Sequence, residues 1–168
     1  MKVIDKRLRQ YIGLVSAILS YYLVHEGMHL LYALYLGVFK KINFMGLGVQ
    51  IDVYVDNMTS KQMGIFCLLG SVATLIVAYV LAAITGILVK SSSKVFKASM
   101  YYITIVMLIL DPLYLSVLCG FFGGGDMNGI SLLIPKILAR IIYGCILMVN
   151  IAIYFKTVLP KYKKAFKE

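Results

Sequence analysis

The stretch IGLVSAILSYYLVHEGMHLLYALYLGVF, residues 12–39, decides what kind of molecule this chain folds into. It exceeds the about 20 helical residues needed to cross the roughly 30 Å of a bilayer's hydrocarbon, and its one charged side chain is Glu26. Further apolar blocks of comparable length follow at Met63–Val89, Ala98–Phe122 and Ser131–Val158. The second block carries no charge and the third only Asp111, while the fourth has Lys136 and Arg140 near one end and Lys156 near the other. Long cationic side chains so placed reach the interface while their stems stay in the apolar layer.

Composition points the same way. Of 168 residues, 61% are hydrophobic and 14% charged, with a mean hydropathy of +0.90; soluble domains carry about 25% charge and, at this size, leave too much surface exposed to hide so many apolar residues. Disordered, collagen-like and disulfide-scaffold classes need low hydrophobicity, a Gly-X-Y period or dense cysteine. Cys67, Cys119 and Cys145 are scattered without paired spacing and read as small buried residues. The expected fold is therefore an all-α integral membrane protein, one domain over residues 1–168, with about four transmembrane helices.

There are 17 Lys and Arg against 7 Asp and Glu, but the basic residues lie in short runs beside apolar blocks, a placement that fits anionic lipid headgroups and membrane orientation rather than nucleic acid. Lys2, Lys6, Arg7 and Arg9 precede the first block; Lys90, Lys94 and Lys97 separate the second from the third; Lys161, Lys163, Lys164 and Lys167 follow the fourth. Four crossings put all three clusters on one side, so both termini are expected in the cytoplasm. A cleaved signal peptide is disfavoured, because its apolar region would run only about 7–15 residues.

Between the first two blocks, Val49, Ile51, Val53 and Val55 alternate with Gln50, Asp52 and Tyr54. Period-two patterning reads as strand, and Gly46-Leu47-Gly48 supplies a turn, so a short β-hairpin is expected over about residues 42–55.

Both histidines of the chain fall inside His25-Glu26-Gly27-Met28-His29. Residues four apart on an α-helix lie about 40° apart on one face, one turn above the other, the spacing two zinc ligands need. Glu26, rotated by about 100°, sits beside the pair, where a general base can reach a water activated by Zn2+. A glutamate flanked by two histidines in mid-membrane needs a partner or a cation. The plainer alternative has the histidines hydrogen-bonding between helices and Glu26 protonated.

Catalytic zinc takes three protein ligands and an open position, and with no third histidine a carboxylate is favoured. Asp111 lies as far into the third block as His25 does into the first, which places the two at one depth. Asp126 lies in Gly123-Gly124-Gly125-Asp126-Met127-Asn128-Gly129, a loop that has to fold back into the membrane to reach a metal there. Asp111 read plainly is a helix-break residue ahead of Pro112, and Asp126 a solvated loop residue. Arg140 is either a partner for a site carboxylate or oxyanion, or a snorkelling cation.

On these residues the chain resembles the site-2-protease family of intramembrane zinc metallopeptidases, in which a His-Glu-x-x-His motif on one transmembrane helix meets an aspartate from a later segment. Leu69-Gly70-Ser71-Val72-Ala73-Thr74 occupies the place of the family's small-residue segment, keeping the glycine without the Pro and Asn, and Asp111-Pro112-Leu113-Tyr114 followed by Gly125-Asp126-Met127-Asn128-Gly129 is similar in outline to its Asn-x-x-Pro and Asp-Gly stretches. The resemblance implies a zinc endopeptidase with His25, His29 and Asp126 as ligands, Glu26 as general base, and Asp111 behind the ligands or against substrate. It also implies that the β segment pairs with an unwound membrane substrate. Two other classes fit the bare motif: a non-catalytic assembly or immunity-type membrane protein that keeps the fold, and a small metal or ion transporter.

Overall fold

The computed structural model describes residues 5–46 and 48–167. Lys2 of the first basic cluster and Leu47 of the expected turn lie outside them. The chain is mostly helical: α1 (Lys6–Tyr35), a hairpin of β1 (Phe39–Met45) and β2 (Gly48–Val53), α2 (Ser60–Ala83), a short α3 (Thr85–Leu88), α4 (Lys94–Ser116), α5 (Asp126–Ile130), and α6 (Lys136–Ile153), which runs through a π-helical turn at Tyr154–Val158 into α7 (Leu159–Lys167).

Among the described residues, three helices are long and apolar enough to cross a membrane: Ser60–Ala83, Lys94–Ser116 and the continuous Lys136–Lys167. The expected fourth, α1, has the length at 30 residues, but His25, Glu26 and His29 dilute its apolar run. Many large apolar side chains face outward, while several polar ones are buried among the apolar core. Leu23, Leu31, Ile76, Ile137, Ile141 and Met148 are exposed, while Ser71, Thr74, Thr104, Asp111 and Asn150 are buried. In water those six side chains alone would forgo on the order of 10 kcal/mol of burial, comparable to the whole stability of a domain. Against lipid tails the penalty vanishes, and these five polar groups find partners inside the protein.

Element boundaries follow local chemistry. Gly37, at φ 68°, ends α1 just past its cap Leu36, and Val38–Phe39 turn into the hairpin instead of continuing the helix to residue 39 as the apolar run suggested. Thr59 opens α2 with a reciprocal cap: the Gln62 amide N–H donates to Thr59 Oγ1 at 3.2 Å and the Thr59 amide N–H to Gln62 Oε1 at 2.8 Å. The second block was expected to reach Val89, but α2 stops at Ala83. The fourth helix starts later than residue 131, after Pro135, and runs past Val158 to Lys167.

Inside α4, Pro112 has no N–H to give the Leu108 carbonyl. Buried Asn150 of α6 fills the gap, its Nδ2 donating to Leu108 O at 2.6 Å while Tyr79 OH donates to its Oδ1 at 2.9 Å. The helix therefore passes Pro112 and ends only at Ser116, short of the expected Phe122. Small residues set the α1–α4 spacing. Ala17 is fully buried, and a Cβ on Gly13 would lie 2.5 Å from the Tyr102 ring.

The hairpin is antiparallel, pairing Met45 with Gly48, Ile42 with Ile51 and Phe39 with Val53. Ile51 and Val53 are buried as their alternation required. The expected strand overran at its end, since Val55 is exposed and begins a 3-10 turn, Val55–Asn57.

Candidate metal centre

Three segments distant in sequence converge on the interior face of α1. His25 and His29 are buried at 6% and 3% exposure, one turn apart with ring centroids 4.9 Å from each other. Asp126 arrives from the loop after α4. Gly123, Gly124 and Gly125 adopt φ of 82°, 88° and 44°, a run of left-handed conformations that only glycine takes cheaply, and α5 then packs against α2 through buried Met127 and Ile130. The fit there is tight, for a Cβ on Gly129 would stand 2.2 Å from Cys67 Sγ. So the loop does fold back. Asp126 Oδ2 lies 3.0 Å from His25 Nε2 and 3.6 Å from His29 Nε2.

Asp111 meets the same histidine from behind. Its Oδ2 lies 3.2 Å from His25 Nδ1, and the carboxylate also accepts hydrogen bonds from Tyr21 OH, at 2.5 Å, and from Thr74 Oγ1. With Nδ1–H donated to Asp111, His25 presents the Nε2 lone pair to the centre, the carboxylate–histidine pairing that orients imidazole ligands in metalloproteins. The depth counting that set Asp111 level with His25 thus has a structural counterpart, on the ring nitrogen away from Asp126.

A divalent cation suits this cluster. One ligand atom each from His25, His29 and Asp126 lie within 4.8 Å of one another, and two imidazole nitrogens with one carboxylate oxygen are a borderline-soft donor set. Gly70 of α2 keeps the space in front of them open: a Cβ there would sit 2.6 Å from His29 Nε2 and 2.7 Å from His25 Nε2. Phe66 and Tyr21 wall the site, with ring centroids 4.6 Å from His29 and 5.1 Å from His25.

Glu26 leaves the histidine face, as its position one residue on requires, and its Oε2 accepts the Ile51 amide N–H at 3.2 Å. That amide points away from β1, so the outer edge of β2 lies at the motif. Arg140 reaches no site carboxylate. Its Nε donates at 2.9 Å to the Ser116 carbonyl at the end of α4, one of the carbonyls a helix terminus leaves unpaired. All three cysteines are free; Cys67 and Cys119 are buried, but Cys145 is exposed, contrary to its expected burial.

Tyr21 and Thr74 were not singled out as site residues. Tyr21 precedes His25 by four positions, so its place on the same face was implicit in the helical period. Thr74 stands out in the sequence only as the last residue of the small-residue segment Leu69–Thr74. Compared with known proteins, the chain matches no family model, none of the curated proteins and none of the solved structures.

Proposed function

We propose that the protein is an intramembrane zinc metalloendopeptidase that hydrolyses peptide bonds of membrane-embedded substrates. The observation that carries this reading is the convergence of His25, His29 and Asp126 within 4.8 Å inside a bundle of helices long and apolar enough to cross a membrane. The motif's resemblance to site-2 proteases supplies the reaction class. α1 would be a fourth span, with both termini on the cytoplasmic side, in keeping with the basic residues at the starts of α1 and α4 and in α7.

Zinc held by His25, His29 and Asp126 would supply a Lewis acid that polarises the scissile carbonyl and acidifies water. The chain's own groups do the rest. Glu26 takes a proton from the attacking water and delivers it to the leaving amine. Asp111, tied to Tyr21 and Thr74, keeps the His25 ring turned toward the centre. The outer edge of β2 offers backbone groups to an extended substrate strand, bringing its peptide bonds past Glu26.

The test is Glu26→Gln in purified protein reconstituted with zinc and a panel of transmembrane peptides. General-base catalysis is worth about 10²–10⁴-fold, so the variant should cleave at least about 100-fold more slowly with its zinc content unchanged. Cleavage at the wild-type rate would remove Glu26 from the mechanism. Zinc binding without cleavage of any peptide by the wild type would favour the assembly or transporter readings.

A further inference from the structure

The end of the bundle remote from the metal centre holds a second constructed feature. The start of α1, the start of α4 and the face of α7 enclose a cavity of about 640 Å³ whose rim carries Lys6, Arg9, Lys94 and Lys163. No carboxylate is among the described residues that line it. Gln10 adds a polar amide, and Ala98, Leu159 and Phe166 make part of the wall apolar. Tyr162, which also lines the cavity, is 1% exposed. Gln10 is fifteen residues before His25 on α1, so the cavity lies roughly 22 Å along the helix from the metal centre.

We propose that this cavity binds the phosphodiester headgroup of an anionic membrane phospholipid. Lys6, Lys94 and Lys163, one from each of three separate elements, line one space, which is what an anion requires and what scattered surface lysines do not provide. Apolar wall beside cationic rim fits a headgroup continuing into acyl chain, whereas a free phosphate would leave that wall unused. The tyrosines Tyr101 and Tyr102 on the α4 side are the residue type that gathers at headgroup level. Lys97 buttresses the cavity from behind, its Nζ donating to the Ala165 carbonyl of α7 at 2.9 Å and so holding α7 on α4. A lipid seated here would bridge α1, α4 and α7, joining the two ends of the chain.

The experiment uses the full chain in neutral detergent, titrated separately with phosphatidylglycerol, phosphatidylcholine and inorganic phosphate. Retained lipid is read by native mass spectrometry and stability by thermal unfolding. The expected result is one retained phosphatidylglycerol per chain, bound about tenfold more tightly than phosphatidylcholine and raising the unfolding midpoint. Lys94→Gln with Lys163→Gln should abolish that preference. Both side chains are exposed, so the fold should be unaffected. Lys41→Gln with Lys136→Gln removes the same charge outside the cavity and should leave the preference intact. Three results would each overturn the proposal: no preference in the wild type, an unchanged preference after the Lys94 and Lys163 substitutions, or inorganic phosphate that stabilises as well as the lipid and displaces it.

Discussion

Gly70→Ala is a one-methyl perturbation aimed at the centre. The added carbon would stand 2.6 Å from His29 Nε2, 2.7 Å from His25 Nε2 and 2.9 Å from His25 Cδ2. Ordinary contact is about 3.5 Å, so the rings or α2 must retreat by about 0.8–0.9 Å. Neither ring has room to yield: His25 is fixed from behind by Asp111 and Tyr21, and His29 lies against Phe66. Metal-ligand distances tolerate only about 0.2 Å, a quarter of that displacement. Stability should change far less than affinity, because overpacking costs about 1–3 kcal/mol while replacing a mid-helix glycine by alanine returns about 0.5–1 kcal/mol. The variant should therefore stay folded, within about 2 kcal/mol of wild type, yet bind zinc at least about 100-fold more weakly in a chelator competition. Gly27→Ala is the matched control, a helical glycine in the motif itself with nothing within 4 Å of its would-be Cβ. It should keep zinc affinity and gain slightly in thermal midpoint. Wild-type zinc affinity in Gly70→Ala would refute the placement of the cation between these nitrogens.

Asp111→Asn keeps shape but weakens the acceptor behind His25, and zinc affinity measured by chelator competition should fall about 10–100-fold without abolishing binding. Asn150→Leu strips the Leu108 carbonyl of the donor that stands in for the missing Pro112 N–H; unfolding in detergent should show a loss of about 1–3 kcal/mol with zinc affinity unchanged.

Much of this arrangement was legible in residue order, and the gaps have physical causes. The i, i+4 histidines fix their own geometry on a helix, so one buried face for both rings followed from spacing alone. The hairpin likewise announced itself through Val49, Ile51 and Val53. Helix ends were less readable, because an apolar run says what tolerates lipid rather than where the backbone turns: Gly37 and Pro135 override runs that hydropathy alone would extend. Asp111 and Asp126 could not be separated by depth, since both reach His25, from opposite ring nitrogens. What distinguishes them is the fold-back at Gly123–Gly125, a tertiary outcome carried by packing of Met127, Gly129 and Ile130 on α2. Arg140 misled for a related reason, its partner being a backbone carbonyl that no sequence pattern marks.

The account rests on a divalent cation shared by His25, His29 and Asp126, and the most direct measurement is zinc content per chain, by elemental analysis of purified wild type, His25→Ala, Asp126→Asn and Asp111→Asn. It predicts one zinc in the wild type, none retained after dialysis in the His25 and Asp126 variants, and partial occupancy in the Asp111 variant. Full zinc occupancy in Asp126→Asn, or none in the wild type, would contradict it.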